Sequence, residues 1–307
     1  MNQITKCKIK NNSQDDNNPN KYYSKDTKGK ILIMRHGETY FNNEQNKEDR
    51  KTNPNFIDCK LTPKGIEQAK SMKDILNNLN IEIVYISPMY RTFQTAFYIL
   101  ENHPNKSNIK VVIHPLINEA TSCVQDYQLD IKKTKAEFNM NSKIKFDWSI
   151  FDDFVKNIKY QENFYYFDNF DCFEENKKNE MYQKLKYYYE KNDLNSLKKG
   201  LSQLSRMRYE QNKRFESLKH LQIRCNKFLE YIKTKHKDTL DNKEKKILVI
   251  AHTSFIKIAI DRTIYESEDI QNYHPNSYSC NNSKLFLLNF SLLYINNNYM
   301  QLSFLNK

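Results

Sequence analysis

The chain has 307 residues, of which 38% are hydrophobic and 28% charged, and its formal net charge is +12. Its 21 Tyr and 18 Phe residues exclude a wholly disordered chain, because disordered sequences are poor in aromatic residues. No apolar run approaches the roughly 20 residues that cross a bilayer, and the polar first residues contain no apolar core of a secretory signal. We therefore expect a cytoplasmic protein with no membrane partner.

The six cysteines are scattered, without the close spacing of a zinc site or of a redox pair. We expect six thiols in a reducing compartment, with no bound metal and no cofactor. An excess of Lys and Arg can attract nucleic acid or a phosphorylated substrate. Because no basic block with interleaved aromatic residues stands out, we expect no nucleic-acid partner, and the sequence leaves the oligomeric state open.

The first predicted segment, residues 1–28, is rich in Asn, Lys, Asp and Ser, which predicts a disordered tail. We predict one catalytic domain over 29–307. Four short apolar runs in it predict buried strands: ILIM after Lys30, IEIVYIS at 81–87, IKVVI at 109–113 and KILVIA at 246–251.

Amphipathic stretches separate these strands and predict helices. Thr62 and Pro63 are typical of a helix start, and the apolar residues that follow predict one helix: Ile66, Ala69, Met72, Leu76 and Leu79. Further helices are predicted after Met89, from about Glu216 and from Ser254. Strands that alternate with helices indicate a parallel sheet with right-handed crossovers.

The regular pattern is interrupted between about 121 and 214 by an aromatic, charged segment with predicted helices near 177–190 and 194–212. We interpret it as a cap insertion that governs selectivity more than chemistry. The chain ends in two apolar runs around an Asn-rich turn, which predict a strand pair. The predicted fold is therefore an α/β three-layer sandwich with a mostly parallel sheet, helices on both faces and a helical or irregular cap insertion.

Reactive side chains follow four of the predicted strands at their carboxyl ends, where open α/β sheets bind ligands. They are Arg35 and His36 after the first strand, Arg91 after the second, Glu119 after the third and His252 after the fourth. Two arginines and two histidines at one edge describe a site for an anion, and specifically for phosphate.

The segment ILIMRHGETYFN resembles the signature of the histidine phosphatase superfamily, in its phosphoglycerate mutase-like branch. Four more segments resemble the family's motifs in the family's order: DCKLTPKGIEQA (58–69), SPMYRTFQTA (87–96), HPLINEA (114–120) and LVIAHTSFI (248–256).

The resemblance implies a phosphomonoester hydrolase that works through a phosphohistidine on His36. It implies that Arg35, Arg91 and His252 hold the phosphate oxygens with help from Asn42, and that Glu119 is the general acid. His252 thus belongs to both the catalytic and the phosphate-binding set. No metal is expected, because the arginines supply the positive charge. The expected partner is a small phosphorylated substrate or a phosphoprotein.

The chain departs from the family pattern at Thr253, where the family usually has Gly after the second histidine. This side chain either crowds the phosphate or adds a hydroxyl donor. Two alternatives follow: a phosphoglycerate mutase-type transferase, ranked lower because ATSCVQDYQ after Glu119 does not resemble the mutase motif, and a catalytically impaired phosphate-binding scaffold. Sugar phosphates, phosphorylated carboxylates, nucleotides and phosphotyrosine all remain open as substrates.

Overall fold

The computed structural model describes most of the chain between residues 31 and 304. The described ranges are 31–46, 49–141, 144–211, 215–242, 244–261, 285–289 and 301–304. The tail predicted for 1–28 lies outside them. Within them, no helix is both long and apolar enough to cross a membrane.

Seven strands of the described ranges form one sheet. They are β1 (Ile31–Arg35), β2 (Asn80–Ile86), β3 (Lys110–Ile113), β4 (Lys145–Asp147), β5 (Lys245–Ala251), β6 (Leu285–Asn289) and β7 (Gln301–Phe304). Their order is β4-β3-β2-β5-β1-β6-β7. The first five strands run parallel to one another, whereas β6 is antiparallel to β1 and β7 is antiparallel to β6. The predicted mostly parallel sheet is confirmed, and so is the strand pair near the end.

Helices connect the strands. They are α1 (Tyr40–Asn43), α2 (Pro63–Ser71), α3 (Lys73–Asn77), α4 (Tyr90–Leu100), α5 (Ile131–Asn141), α6 (Ser149–Lys156), α7 (Glu175–Glu190), α8 (Leu194–Glu210), α9 (Leu218–Lys235), α10 (Lys237–Asp241) and α11 (Thr253–Asp261). Short 3₁₀ helices lie at Asp49–Lys51, Pro54–Phe56, Pro115–Ile117, Val124–Asp126 and Glu162–Asn169.

The helix predicted after Thr62 starts where expected, since the Thr62 side chain accepts a hydrogen bond from the Gly65 N–H and Pro63 occupies the first turn. The prediction of one continuous helix is wrong, because the structure has α2 and α3 with a break at Met72. The Met72 N–H bonds to the carbonyl of Ala69, three residues back, and this tighter turn ends the regular helix.

The two faces of the sheet are covered by different helices, because successive strand residues point to opposite sides. Leu32 and Met34 belong to the apolar core that contains Ala69 of α2 and Phe93 of α4. Ile31 and Ile33 belong to the core on the other face, with Phe228 of α9 and Phe255 of α11 among its members. The predicted α/β sandwich with helices on both faces is therefore confirmed.

The segment predicted to be an insertion packs against one of these faces. Its strand β4 extends the sheet by pairing parallel with β3. Trp148 stacks on Phe93 of α4, with ring centroids 5.1 Å apart and an interplanar angle of 17°. Further along, Phe170 stacks on Phe215 at 4.4 Å. The aromatic residues of the segment thus extend the core that lies over α4.

Candidate active site

The parallel pairing of β1 with β5 brings the two predicted site histidines together. Arg35 is in register with Ala251, and the next backbone N–H, that of His36, donates to the Ala251 carbonyl at 3.1 Å. His252 follows Ala251 directly. The His36 and His252 ring centroids consequently lie 5.2 Å apart, with the rings inclined at 58°.

His36 is held with one ring nitrogen available. Its Nδ1 lies 2.7 Å from the Gly37 carbonyl oxygen, and because a carbonyl can only accept, Nδ1 carries the proton. The lone pair is then on Nε2. Burial, followed by the charges of Arg91 and Arg35, places the pKa of His36 well below its usual range. The imidazole is therefore neutral at physiological pH and can act as a nucleophile.

The loop after His36 passes so close to the start of α2 that glycine is required on both sides. A Cβ on Gly37 would lie 2.4 Å from the Gly65 carbonyl oxygen, and one on Gly65 would lie 2.0 Å from that of Glu38. The Gly37 N–H also donates to the Thr95 hydroxyl at 3.1 Å. These contacts fix the backbone on which His36 sits.

His252 presents an N–H to the same space. Its Nδ1 accepts a hydrogen bond from Arg91 Nε at 3.2 Å, so the proton of the neutral ring is on Nε2. Burial, with Arg91 as the next cause, holds the pKa of His252 well below its usual range. The Nε2 atom is buried and has no hydrogen-bond partner among the described residues. A buried donor without a partner is costly unless a ligand accepts from it.

Arg91, the second residue of α4, is almost fully buried, with 1% exposure. Besides His252, its guanidinium bonds to two residues of the segment 121–214: Nη1 donates to the Gln125 carbonyl at 2.6 Å and Nη2 to Asp126 Oδ1 at 3.3 Å. No sequence motif singles out Gln125 or Asp126. The first turn of the segment 121–214 thus contacts a predicted phosphate-binding residue.

Glu119 lies half-buried beside α11. Its Oε1 accepts from the N–H of Ala120 at 2.9 Å and from that of Ser254 at 3.1 Å. Burial, and then the charge of Asp126, raises the pKa of Glu119. A carboxyl group in such surroundings can hold a proton near neutral pH, as a general acid must.

The backbone around Glu119 is fixed by Arg224, a buried residue of α9 that lies outside the recognised motifs. Arg224 donates to the carbonyls of Leu116, Asn118 and Glu119 at 2.7, 2.8 and 3.1 Å. It forms a bidentate ion pair with Glu216, with N···O distances of 2.5 and 2.7 Å. The sequence contains no signal for this role, because it does not distinguish a buried arginine on a helix from an exposed one.

The structure places Asn42 and Thr253 at two helix starts. The Asn42 side-chain oxygen accepts from the Thr39 N–H at 3.2 Å, which orients the amide at the beginning of α1. Thr253 is the first residue of α11, and its φ is not positive, so its position needs no glycine.

A cavity of about 440 Å³ opens beside these residues. Ala120 and Ser254, whose N–H groups donate to the Glu119 carboxylate, both line it, whereas Glu119 itself does not. Four basic side chains line the cavity: Arg50, Lys51, Arg208 and Lys257. Among the described residues, no carboxylate lines it.

Two of these cations are held against aromatic rings of the same cavity. Arg50 lies 4.7 Å from the centre of Phe41, and Lys51 lies 4.6 Å from that of Tyr209. Such contacts orient a cation without neutralising it. The cavity is therefore electropositive.

No three His, Cys, Asp or Glu side chains of the described ranges are arranged to hold a metal ion. No disulfide joins the cysteines that lie in those ranges, Cys59, Cys123, Cys172 and Cys225.

Residues 31–148 match the family model of the histidine phosphatase superfamily (branch 1). The match includes Arg35, His36, Arg91 and Glu119, whereas His252 lies beyond it. This match, over less than half of the chain, agrees with the resemblance that the motifs indicated.

Named relatives include phosphatases and mutases. The chain is 33% identical over 89 residues to fructose-2,6-bisphosphatase TIGAR B of Danio rerio, covering 29% of this chain and 33% of that protein. It is 27% identical over 84 residues to the 2,3-bisphosphoglycerate-dependent phosphoglycerate mutase of Chlamydia pneumoniae, covering 27% and 34%. The matched region thus spans about a third of the length of these relatives.

Among solved structures, the alpha-ribazole phosphatase from Shigella flexneri aligns with 91% of this chain and 96% of its own, at 15% identity and a TM-score of 0.45.

Proposed function

We propose that the protein is a phosphomonoester hydrolase that forms a phosphohistidine on His36 without a metal ion. The observation that carries the proposal is the neutral His36 ring, whose Nδ1–H is bound to the Gly37 carbonyl and whose Nε2 lone pair is available for attack. Nucleophilic catalysis requires such a group. The adjacent Nε2–H of His252 supports the same site as a place for a phosphate oxygen.

In the first step, His36 Nε2 attacks phosphorus and the bond between phosphorus and the ester oxygen breaks. Glu119 gives its proton to the leaving oxygen, so an alcohol departs rather than an alkoxide. Arg35, Arg91 and the His252 N–H would stabilise the charge on the other phosphate oxygens, with help from the Asn42 amide.

In the second step, water attacks the phosphohistidine. The Glu119 carboxylate takes a proton from this water, the bond between nitrogen and phosphorus breaks, and inorganic phosphate leaves. His36 returns to its neutral form and Glu119 to its protonated form, so both groups are ready for the next substrate. No redox change or other reactant is needed.

The electropositive cavity supports a small phosphorylated substrate whose leaving group carries a second negative charge. Arg208 belongs to the segment 121–214, which supports our earlier prediction that this segment caps the site and selects the substrate. A phosphoprotein would have to place a similar acidic group in the cavity.

Phosphoryl transfer of the mutase type is the alternative enzyme function, because the same phosphohistidine can donate to a substrate hydroxyl instead of water. A scaffold that binds phosphate without turnover is the other. The start of α11 at Thr253 has an ordinary backbone, and this favours an intact phosphate site over an impaired one.

The test is a panel of ³²P-labelled phosphomonoesters incubated with the enzyme in EDTA. A hydrolase releases labelled phosphate and yields an acid-labile, base-stable phosphoenzyme, which His36→Ala abolishes. The matched control is His220→Ala, at an exposed position of α9. Label transferred to a second hydroxyl would establish the mutase alternative, and phosphate binding without phosphoenzyme the scaffold. Activity that is lost in EDTA and restored by a divalent ion contradicts the metal-free mechanism.

A further inference from the structure

A second buried carboxylate, Asp126, lies at the centre of the turn that contacts Arg91. It is fully buried. Its Oδ1 accepts from Arg91 Nη2 at 3.3 Å, and its Oδ2 accepts from the Ser122 N–H, the Ser122 hydroxyl and the Cys123 N–H at 2.9, 3.0 and 3.2 Å. The proposed reaction does not yet use this group.

Asp126 and Glu119 interact electrostatically with each other, and the charge of Arg91 acts to lower the pKa of both. Two negative charges in one buried site repel each other strongly, so one carboxyl keeps its proton to higher pH than the other. The two differ in their donors. Asp126 has a direct ion pair with a guanidinium. Among the described residues, the Glu119 carboxylate accepts its hydrogen bonds from Ala120 and Ser254. Burial raises the pKa of Asp126 as well, but the charge of Arg91 and the hydrogen bonds from Ser122 and Cys123 act against that rise. Because charge-assisted bonds favour the ionised form, this geometry makes Asp126 the better anion of the two.

We propose that Asp126 is a positioning residue that stays ionised, holds the Arg91 guanidinium, and thereby keeps the shared proton on Glu119, where the leaving group needs it. The inference rests on the proposed role of Glu119 as the acid. It adds a residue that touches neither the substrate nor the reacting atoms but decides which carboxyl is the acid.

Other charged groups face this pair from the surrounding elements. Arg91 comes from α4, Arg224 from α9 contacts the Glu119 carbonyl, and Arg208 from α8 acts on the neighbouring Cys123. The neutral rings of His36 and His252 also interact electrostatically with Arg91. The charge of Arg91 acts against the rise that burial causes in the pKa of both carboxyls. Of the two, Asp126 is the one whose carboxylate contacts a guanidinium among the described residues.

The decisive experiment is infrared difference spectroscopy of the protonated carboxyl band at about pH 7.5. Burial raises the pKa of Asp58 to about 6, so at this pH Asp58 is ionised and does not contribute to the band. Protein labelled with ¹³C in the glutamate carboxyls is compared with unlabelled protein. We expect a band that shifts with glutamate labelling and is absent from Glu119→Gln. The proposal is overturned if the band does not shift with glutamate labelling and persists in Glu119→Gln. It is also overturned if the wild type shows no band.

The Asp126→Asn variant tests the coupling. Without the Asp126 charge, the Glu119 band should titrate about 1 pH unit lower or more. Asp153→Asn is the matched control, since it removes the same charge at an exposed position of α6 and should leave the midpoint unchanged. An unchanged midpoint in Asp126→Asn overturns the coupling, and if that variant does not fold, the labelling experiment decides alone.

Activity provides an independent measurement. In Asp126→Asn, the fall in turnover of an alkyl phosphate at high pH should shift to lower pH, because Glu119 loses its proton earlier. A merely structural role would lower the melting temperature without shifting the pH at which turnover falls. If no phosphomonoester is turned over by the wild type, the proposed function fails, whereas the infrared result still shows which carboxyl holds the proton.

Discussion

Arg91 donates a hydrogen bond from Nε to Nδ1 of His252 over 3.2 Å, although the two residues are 161 positions apart in the chain. This contact fixes the neutral tautomer of His252 and directs its Nε2–H away from Arg91. Arg91 therefore has two tasks in the proposed site, to hold phosphate itself and to orient a second donor.

We expect Arg91→Lys to lower kcat/KM by about 100-fold or more, even though the positive charge is kept. The guanidinium contacts His252, Gln125 and Asp126 from three separate nitrogens, and a lysine ammonium has all its donors on one atom, which cannot span these positions. The measurement is steady-state kinetics together with the melting temperature. Arg206→Lys, on the exposed side of α8, is the matched control. A lysine variant as active as the control would exclude this orienting role.

Glu119→Gln should separate substrates by their leaving groups. An alkyl phosphate must expel an alkoxide and needs the proton, so we expect a loss of about 10²–10⁴-fold in the first chemical step. A nitrophenolate departs readily without help, so p-nitrophenyl phosphate should lose much less. Pre-steady-state formation of the phosphoenzyme is the measurement, because Glu119 also acts on water later. Equal losses on both substrates would remove Glu119 from the acid role.

Arg208→Met tests the electropositive cavity. For a substrate with a second anionic group, we expect KM to rise about tenfold, the usual effect of losing one charge-assisted hydrogen bond. The KM of p-nitrophenyl phosphate should change little, since this substrate carries no second anionic group for Arg208 to bind. Arg206→Met makes the same chemical change at an exposed position of the same helix. A KM that rises equally for both substrates contradicts a role in selection.

Asp58 should make stability fall as the pH rises. Burial raises its pKa from 3.8 to about 6, so between these values the folded protein binds more protons than the unfolded chain. The contribution of Asp58 to the free energy of unfolding is then largest below about pH 4 and declines until about pH 6. In Asp58→Asn, which can still accept from the Tyr90 N–H, the melting temperature should decline less from pH 4 to pH 7. An identical decline in both proteins would contradict this.

The sequence by itself determined the scaffold and most of the candidate site. Local apolar patterns predicted β1, β2, β3 and β5, and the rule that parallel strands end at one edge placed His36, Arg91 and His252 together. These inferences succeed because they depend on residues close together in the chain and on a general property of parallel sheets.

Only the tertiary structure decided which groups support those side chains. Asp126 lies 35 positions from Arg91, and Arg224 lies 105 positions from Glu119. Such contacts depend on how a turn and a helix pack over the sheet, which no local pattern records. The break at Met72 has a similar origin, because an apolar stripe continues through a tight turn as well as through a helix. Burial, which sets the pKa of Glu119 and of His36, likewise exists only once the chain has folded.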